Sequence, residues 1–275
     1  MTASSRNAGA VARDALQGTT SFAADSKRYG TFWLRSGESL ARLPAKAKRS
    51  PEEAAVAAAS LTLVRESRTR FMRAHARTVY DSLTARRGKF VRIDDLCALA
   101  ARKYPGLVPS AKELARESGL AQVFADPAAG THLCHAMPLP REDSRAHLAE
   151  LERKGEIALP GAHLKRRGKA SVVAMRNPKF LNAEDESTIA GMETAVDLAL
   201  LDPKTEICVL RGGTVTHPKY AGRRLFDAGI NLTRLYRGKI RFLWYLIRDL
   251  GFVNKFYRGL AVPDASPEEN SIEKL

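Results

Sequence analysis

The sequence predicts an α/β protein in which an all-helical amino-terminal domain precedes a smaller unit of strand, helix and strand. Three observations predict it. Residues 50–154 hold capped segments whose apolar residues recur every three or four positions. Two short β-rich runs follow, Ala170–Met175 and Glu206–Leu210, each bounded by turn residues. Between them Glu184–Leu201 returns to helical spacing through Ile189, Met192, Val196 and Leu200. Strand, helix and strand in that order make a βαβ unit with parallel strands and a right-handed crossover.

Taken in order, residues 1–49 read as a flexible arm of Gly, Ser and isolated basic residues, with one apolar knot at Phe32-Trp33-Leu34. A helical domain is expected over 50–160. Ser50-Pro51-Glu52-Glu53 is a helix start: Ser50 caps, Pro51 suits the first position and Glu53 completes a capping box. The helix runs through Ala54–Leu83, with Leu61, Val64, Arg68, Phe71 and His75 on one face and Gly88 beyond its end. Asp94–Lys103 is a second helix, stopped by Tyr104-Pro105-Gly106. Ser110-Ala111-Lys112-Glu113 opens a third and Arg141–Lys154 is a fourth. The character changes near Gly161. After the second strand, closed by Gly212-Gly213, comes a basic loop, Thr216–Arg224, and then a helical region, Leu232–Tyr257, broken near Gly238.

Composition excludes several classes. At 44% hydrophobic and 27% charged, the 275 residues can supply a core. No run approaches the roughly 20 apolar residues of a membrane helix. Three scattered cysteines, Cys97, Cys134 and Cys208, argue against a disulfide framework and for a reducing compartment, so a cytoplasmic protein is expected. The net charge of +15 attracts polyanions. Nucleic acid is one, the phosphates of coenzyme A another, and charge does not choose. Arg65, Arg68, Arg70, Arg73 and Arg77 could form a basic stripe, yet no stacking platform or DNA-reading motif accompanies them. His132, Cys134 and His135 lack a fourth ligand at zinc spacing, so Thr131–Met137 reads as a buried turn and no metal is expected.

Two segments carry the chemistry. Arg176-Asn177-Pro178-Lys179-Phe180-Leu181-Asn182-Ala183 follows the first strand, and Arg224-Leu225-Phe226-Asp227-Ala228-Gly229-Ile230-Asn231-Leu232 follows the second. Together, in this order and context, they resemble the front half of the crotonase (enoyl-CoA hydratase/isomerase) superfamily. The wording Val209-Leu210-Arg211-Gly212-Gly213-Thr214, Thr216-His217-Pro218 and Tyr220-Ala221-Gly222-Arg223-Arg224 is similar to one branch, dioxygenases of (3,5-dihydroxyphenyl)acetyl-CoA, which also carry a helical domain in front.

The resemblance implies that 161–275 is a partial crotonase domain, the first ββα-type repeats of a crotonase (ClpP-like) fold, truncated before a later Gly-Gly-Gly segment that supplies a second oxyanion donor. A sheet so cut exposes an unpaired edge and an apolar face. It implies enolate stabilisation by the amide of Ile230, brought close by the small Ala228 and Gly229, with Asn231 beside them. Pro178 lies in the first segment. Glu184 matches a substrate-contacting carboxylate, and reads equally as a carboxylate favoured by a helix N-terminus. Arg248 lies near an arginine that recognises the phenolic ring, or is a solvated helix arginine. His217 and Arg224 are candidates for the coenzyme channel, or are exposed loop residues. The branch uses O2 and the CoA thioester as substrates with no cofactor and assembles as a trimer-based homo-oligomer. The alternatives are another acyl-CoA hydratase or isomerase of the superfamily and a non-enzymatic basic helical protein binding nucleic acid.

Overall fold

The computed structural model describes residues 21–108 and 119–262. The chain divides into two compact units, residues 1–133 and 134–275. The division falls before the expected one at residue 161, because the helix over Glu142–Lys154 packs on the sheet unit.

In the first unit, α1 (Phe22–Ala41) replaces the flexible arm expected over these residues. Ser21 caps it, its hydroxyl accepting the Ala24 N–H at 3.3 Å. Tyr29, Trp33 and Leu40 are buried and lie seven or four residues apart, the spacing of one helical face. The apolar knot is thus the middle of an aromatic stripe. Tyr29 stacks on Trp33 at 5.7 Å between ring centroids, Phe71 meets Trp33 edge-on at 5.4 Å, and the Trp33 indole N–H donates to Ser67 at 2.9 Å. Buried Asp25 adds an ion pair to Arg28 at 3.0 Å and a hydrogen bond shared with His75 at 2.8 Å.

Helix α2 (Pro51–Leu83) begins with the capping box read from the sequence: Ser50 accepts the Glu53 N–H at 3.1 Å and Glu53 accepts the Ser50 N–H at 2.8 Å. Ser50→Ala removes one arm of this box and is expected to cost about 1 kcal/mol. A urea titration of the helical signal checks it. Helix α3 (Ile93–Lys103) matches the second expected helix. The third, opened by Ser110, lies outside the described residues. Where a buried turn was expected over Thr131–Met137 stands α4 (Pro127–Ala136). Its start was legible: Asp126 accepts the Ala129 N–H at 2.9 Å and Pro127 takes the first position.

The second unit opens with α5 (Glu142–Lys154), which Gly155 ends at φ 70°. Strands β1 (Glu156–Leu159), β2 (Ala162–Arg167) and β3 (Ala170–Met175) then form an antiparallel meander. The β1–β2 hairpin was not anticipated. Its outer face is Lys and Arg, so β2 lacks the apolar run that marks a strand; Arg166 is tied to Asp202 at 2.6 Å. Helix α6 (Ile189–Leu201) crosses back, and β4 (Ile207–Gly212) joins β3 in parallel, Ala170 opposite Ile207 and Met175 opposite Gly212. The predicted βαβ unit is therefore present. The sheet order is β1-β2-β3-β4, which leaves β4 at an edge with Ile207 and Val209 exposed. Beyond it come α7 (Leu232–Tyr236), α8 (Phe242–Ile247), a π-helical segment (Arg248–Val253) and α9 (Asn254–Arg258). The helical region read as Leu232–Tyr257 has its break between α7 and α8, near Gly238.

Candidate active site

The two segments that follow β3 and β4 are joined to each other by backbone. Glu184 and Ile230 form an isolated parallel bridge: the Glu184 N–H donates to Gly229 C=O at 2.9 Å, and the Asn231 N–H donates to Glu184 C=O at 2.8 Å. In such a bridge the central residue of the second segment turns its own N–H and C=O away from its partner. The Ile230 amide therefore points to the side opposite Glu184, and among the described residues it donates to nothing. The turn before it is made by Gly229 at φ 78°, a left-handed conformation that a side chain resists, and the Gly229 N–H donates to the Asp227 carboxylate at 2.7 Å. Ala228 and Gly229 are exposed and Ile230 is half-buried.

Three buried polar side chains hold this arrangement. Asn182, left-handed at φ 59°, donates to Gly213 C=O at 2.9 Å and Leu225 C=O at 2.8 Å, and accepts the Asn177 N–H at 3.0 Å. Asp185 accepts from Asn231 at 2.8 Å, from Asn177 at 3.2 Å and from the Ser187 N–H at 2.8 Å. Burial pushes the Asp185 carboxyl up, but the Ser187 and Asn231 bonds and the Arg234 charge outweigh it and hold it below the ordinary aspartate value. Asn231 caps α7, accepting the Arg234 N–H at 3.2 Å. It is 3% exposed, so it ties the two loops together from inside rather than facing a ligand. Asn182 and Asp185 stood in the recognised wording without a role, because their partners at 213, 225 and 231 are remote in sequence.

Close approach sets the second loop. A Cβ on Gly212, the last residue of β4, would lie 1.5 Å from Leu225 O. The backbone of the segment leading to Gly229 therefore rests directly on the strand end.

The side chain of Glu184 is 3% exposed and accepts two hydrogen bonds from Arg248, one from Nε to Oε2 and one from Nη2 to Oε1 at 3.2 Å. Arg248 also donates to Asp249 at 2.8 Å. Burial draws the Arg248 guanidinium down, but its bonds to Glu184 and Asp249 prevail and hold it above its ordinary value. Glu184 lies in the loop ahead of α6, so the helix-N-terminus reading does not apply. Arg248 is no freely solvated helix arginine, since it pairs with a buried carboxylate. Residue 184 thus joins the Ile230 turn through its backbone and Arg248 through its side chain.

No family model matches the chain. It is 38% identical over 257 residues to (3,5-dihydroxyphenyl)acetyl-CoA 1,2-dioxygenase of Amycolatopsis orientalis, an alignment covering 87% of this chain and 59% of that protein. Over the aligned length the chain is similar to that dioxygenase. It spans somewhat more than half the length of the relative it matches, 59%. A solved structure, EchA1_1 of Mycobacterium paratuberculosis, is 25% identical over 38% of this chain and 34% of its own, at a TM-score of 0.26.

The remaining residues divide around this turn. Pro178 opens a 3-10 turn and its C=O accepts the Thr216 N–H at 3.0 Å, joining the basic loop to the first segment. His217 caps the next 3-10 turn, accepting the Lys219 N–H at 3.3 Å. Arg224 is exposed and its backbone bridges Thr214. Neither His217 nor Arg224 is joined by a hydrogen bond to Glu184, Ile230 or Arg248. In the first unit Arg68 leaves the basic stripe: it is 2% exposed and donates to Gly106 C=O at 2.8 Å. Arg77 pairs with Asp126 at 2.8 Å. His132 stacks on Phe90 and shares a 2.7 Å hydrogen bond with Tyr80. Among the described residues no three His, Cys, Asp or Glu side chains gather as metal ligands, and no helix is long and apolar enough to cross a membrane.

Asp227, unassigned from the sequence, sits at the turn. Burial pushes its carboxyl up, the Glu184 charge adds to this, and the Gly229 bond and Arg248 charge oppose. A raised pKa means the native state holds a proton more tightly than the unfolded chain. The stability it contributes is complete below the unfolded value of about 3.9 and is lost as pH rises through the native one. Asp227→Asn is therefore expected to raise the urea midpoint at neutral pH and to give no advantage below about pH 4.

Proposed function

We propose that this crotonase unit binds an arylacetyl-CoA thioester and takes part in its oxygenation, with (3,5-dihydroxyphenyl)acetyl-CoA as the substrate. The observation that carries this reading is the Glu184 bridge, which joins the turn bearing the Ile230 amide to the residue that holds Arg248. Identity of 38% to a protein named for that reaction supports it.

The chemistry follows from charge. Loss of a Cα proton from the thioester leaves an enolate whose oxygen is negative. A pre-aimed amide stabilises that oxygen without reorganising, and Ile230 N–H is such a donor. An aryl ring next to Cα delocalises the carbanion, which then gives an electron to O2. Radical recombination forms a Cα–O–O bond. The terminal oxygen attacks the thioester carbonyl, the C–S bond breaks and CoA leaves as thiolate. O–O cleavage with loss of the remaining Cα proton gives arylglyoxylate, and one of the released protons neutralises the thiolate. One thioester and one O2 yield one arylglyoxylic acid and one CoA thiol. Arg248, held by Glu184, is placed to receive a phenolic oxygen through its remaining N–H groups. No cofactor is required in this reading, and assembly into a trimer-based homo-oligomer accompanies it.

The test is incubation of the protein with (3,5-dihydroxyphenyl)acetyl-CoA in air with a chelator and no added flavin. Equal amounts of O2 consumed and thiol released are expected. Neither O2 uptake nor thiol release removes the dioxygenase reading, and conversion without either would make it a hydratase or isomerase.

A further inference from the structure

We propose that buried Lys255 is a positioning residue that sets Arg248 against Glu184 through the π-helical turn between them. The proposal rests on the reading above, in which Arg248 serves the substrate. Lys255 Nζ lies 2.7 Å from Glu193 Oε1 and 2.8 Å from Asp197 Oδ1, and all three side chains are wholly buried. Asp197 Oδ2 also accepts the Arg141 N–H and the Ser144 hydroxyl, each at 2.8 Å. Arg141 Nη1 stands 3.7 Å from Glu193 Oε2. Two buried carboxylates are thus balanced by one ammonium and one guanidinium. Such a cluster tolerates little displacement, because a shifted partner leaves an uncompensated charge away from water.

The geometry ties this cluster to the site. Glu184, Glu193 and Asp197 lie on one continuous stretch, the loop ahead of α6 and α6 itself. Arg248 and Lys255 lie on another, from the start of the π segment into α9. The two stretches are joined at two points, Arg248 to Glu184 and Lys255 to Glu193 and Asp197. Between the two cations runs the π turn. Gly251 lies within it, and a Cβ there would be 2.8 Å from the Glu193 carboxylate. A π turn is rare, since it holds an extra residue that regular helix would expel. In an α-helix each residue adds about 100° of rotation, so expelling that residue swings Arg248 away from Glu184 while Lys255 stays put. The Lys255 cluster fixes one end, the close approach at Gly251 fixes the middle, and Arg248 is delivered at the other end.

The experiment is a double-mutant cycle in the full chain that needs no substrate. The opening equilibrium constant of the second unit is read from hydrogen exchange of α6 core amides in wild type, Arg248→Lys, Lys255→Met and the double variant. Sites not in contact behave independently unless something couples them. If Lys255 seats Arg248, the rise caused by Arg248→Lys is more than threefold smaller in the Lys255→Met background. Rises that agree within threefold between the two backgrounds, or a larger rise in the Lys255→Met background, overturn the proposal. Should Lys255→Met fail to fold, Gly251→Ala, which keeps every charge and displaces Glu193, takes its place under the same criterion. The cycle reads coupling alone, so absence of oxygenase activity would sink the functional reading and leave this result standing.

Discussion

Arg248→Met is expected to destabilise the second unit by about 3 kcal/mol, the lower end of the range for breaking a buried ion pair. Glu184 is the reason. Its carboxylate is 3% exposed and receives both of its side-chain hydrogen bonds from Arg248. Removing the guanidinium leaves a negative charge without its partner in a site that hydrates it poorly. The lower end applies because the Arg248 side chain keeps 29% exposure and water can follow it in. Adding Glu184→Gln to the same chain removes the orphaned charge and should restore most of the loss. Urea titration of the two single variants and the double variant checks both parts. If Arg248→Met alone unfolds at the wild-type midpoint, the pair is not a structural element of the site.

Gly212→Ala should cost as much or more, at or above about 3 kcal/mol, the top of the usual range for overpacking. The added methyl would meet Leu225 O at 1.5 Å and Leu225 C at 2.3 Å. Both are backbone atoms, so no side chain can swing aside. Either β4 slips from its register opposite Met175 or the 224–232 segment lifts off the strand end. Both outcomes also break the Asn182 bond to Leu225 and displace the Ile230 turn. Thermal unfolding measures the cost, and weaker retention on immobilised coenzyme A measures the displacement of the turn.

What the sequence made legible, and what it did not, follows from how far apart the interacting residues lie. Ser50 and Glu53 cap a helix through neighbours, so their pattern was readable. The βαβ unit was readable because Val172, Val173, Val209 and Leu210 contrast with the helical steps between them. The pairing of the two post-strand segments was readable only as family wording; nothing in either alone says that Glu184 bridges Ile230. The α1 helix was missed because Gly30, Gly37 and its many polar residues mask an aromatic stripe that emerges only when Phe22, Tyr29 and Trp33 are placed on one face. The β1–β2 hairpin was missed because Lys165, Arg166 and Arg167 give it no apolar signature. Asn182, Asp185 and Lys255 act through partners distant in sequence. A lysine near the end of an amphipathic stretch reads as solvated until the fold encloses it.

In the proposed reaction the Ile230 N–H faces the carbonyl of a bound acyl thioester. The direct measurement is the 15N–1H signal of Ile230 during titration with a non-reactive thioester analogue, compared with coenzyme A alone. A downfield proton shift at Ile230 that appears with the thioester analogue and not with coenzyme A is the predicted result. An Ile230 signal that stays at its free position at saturation, with the analogue demonstrably bound, would contradict it.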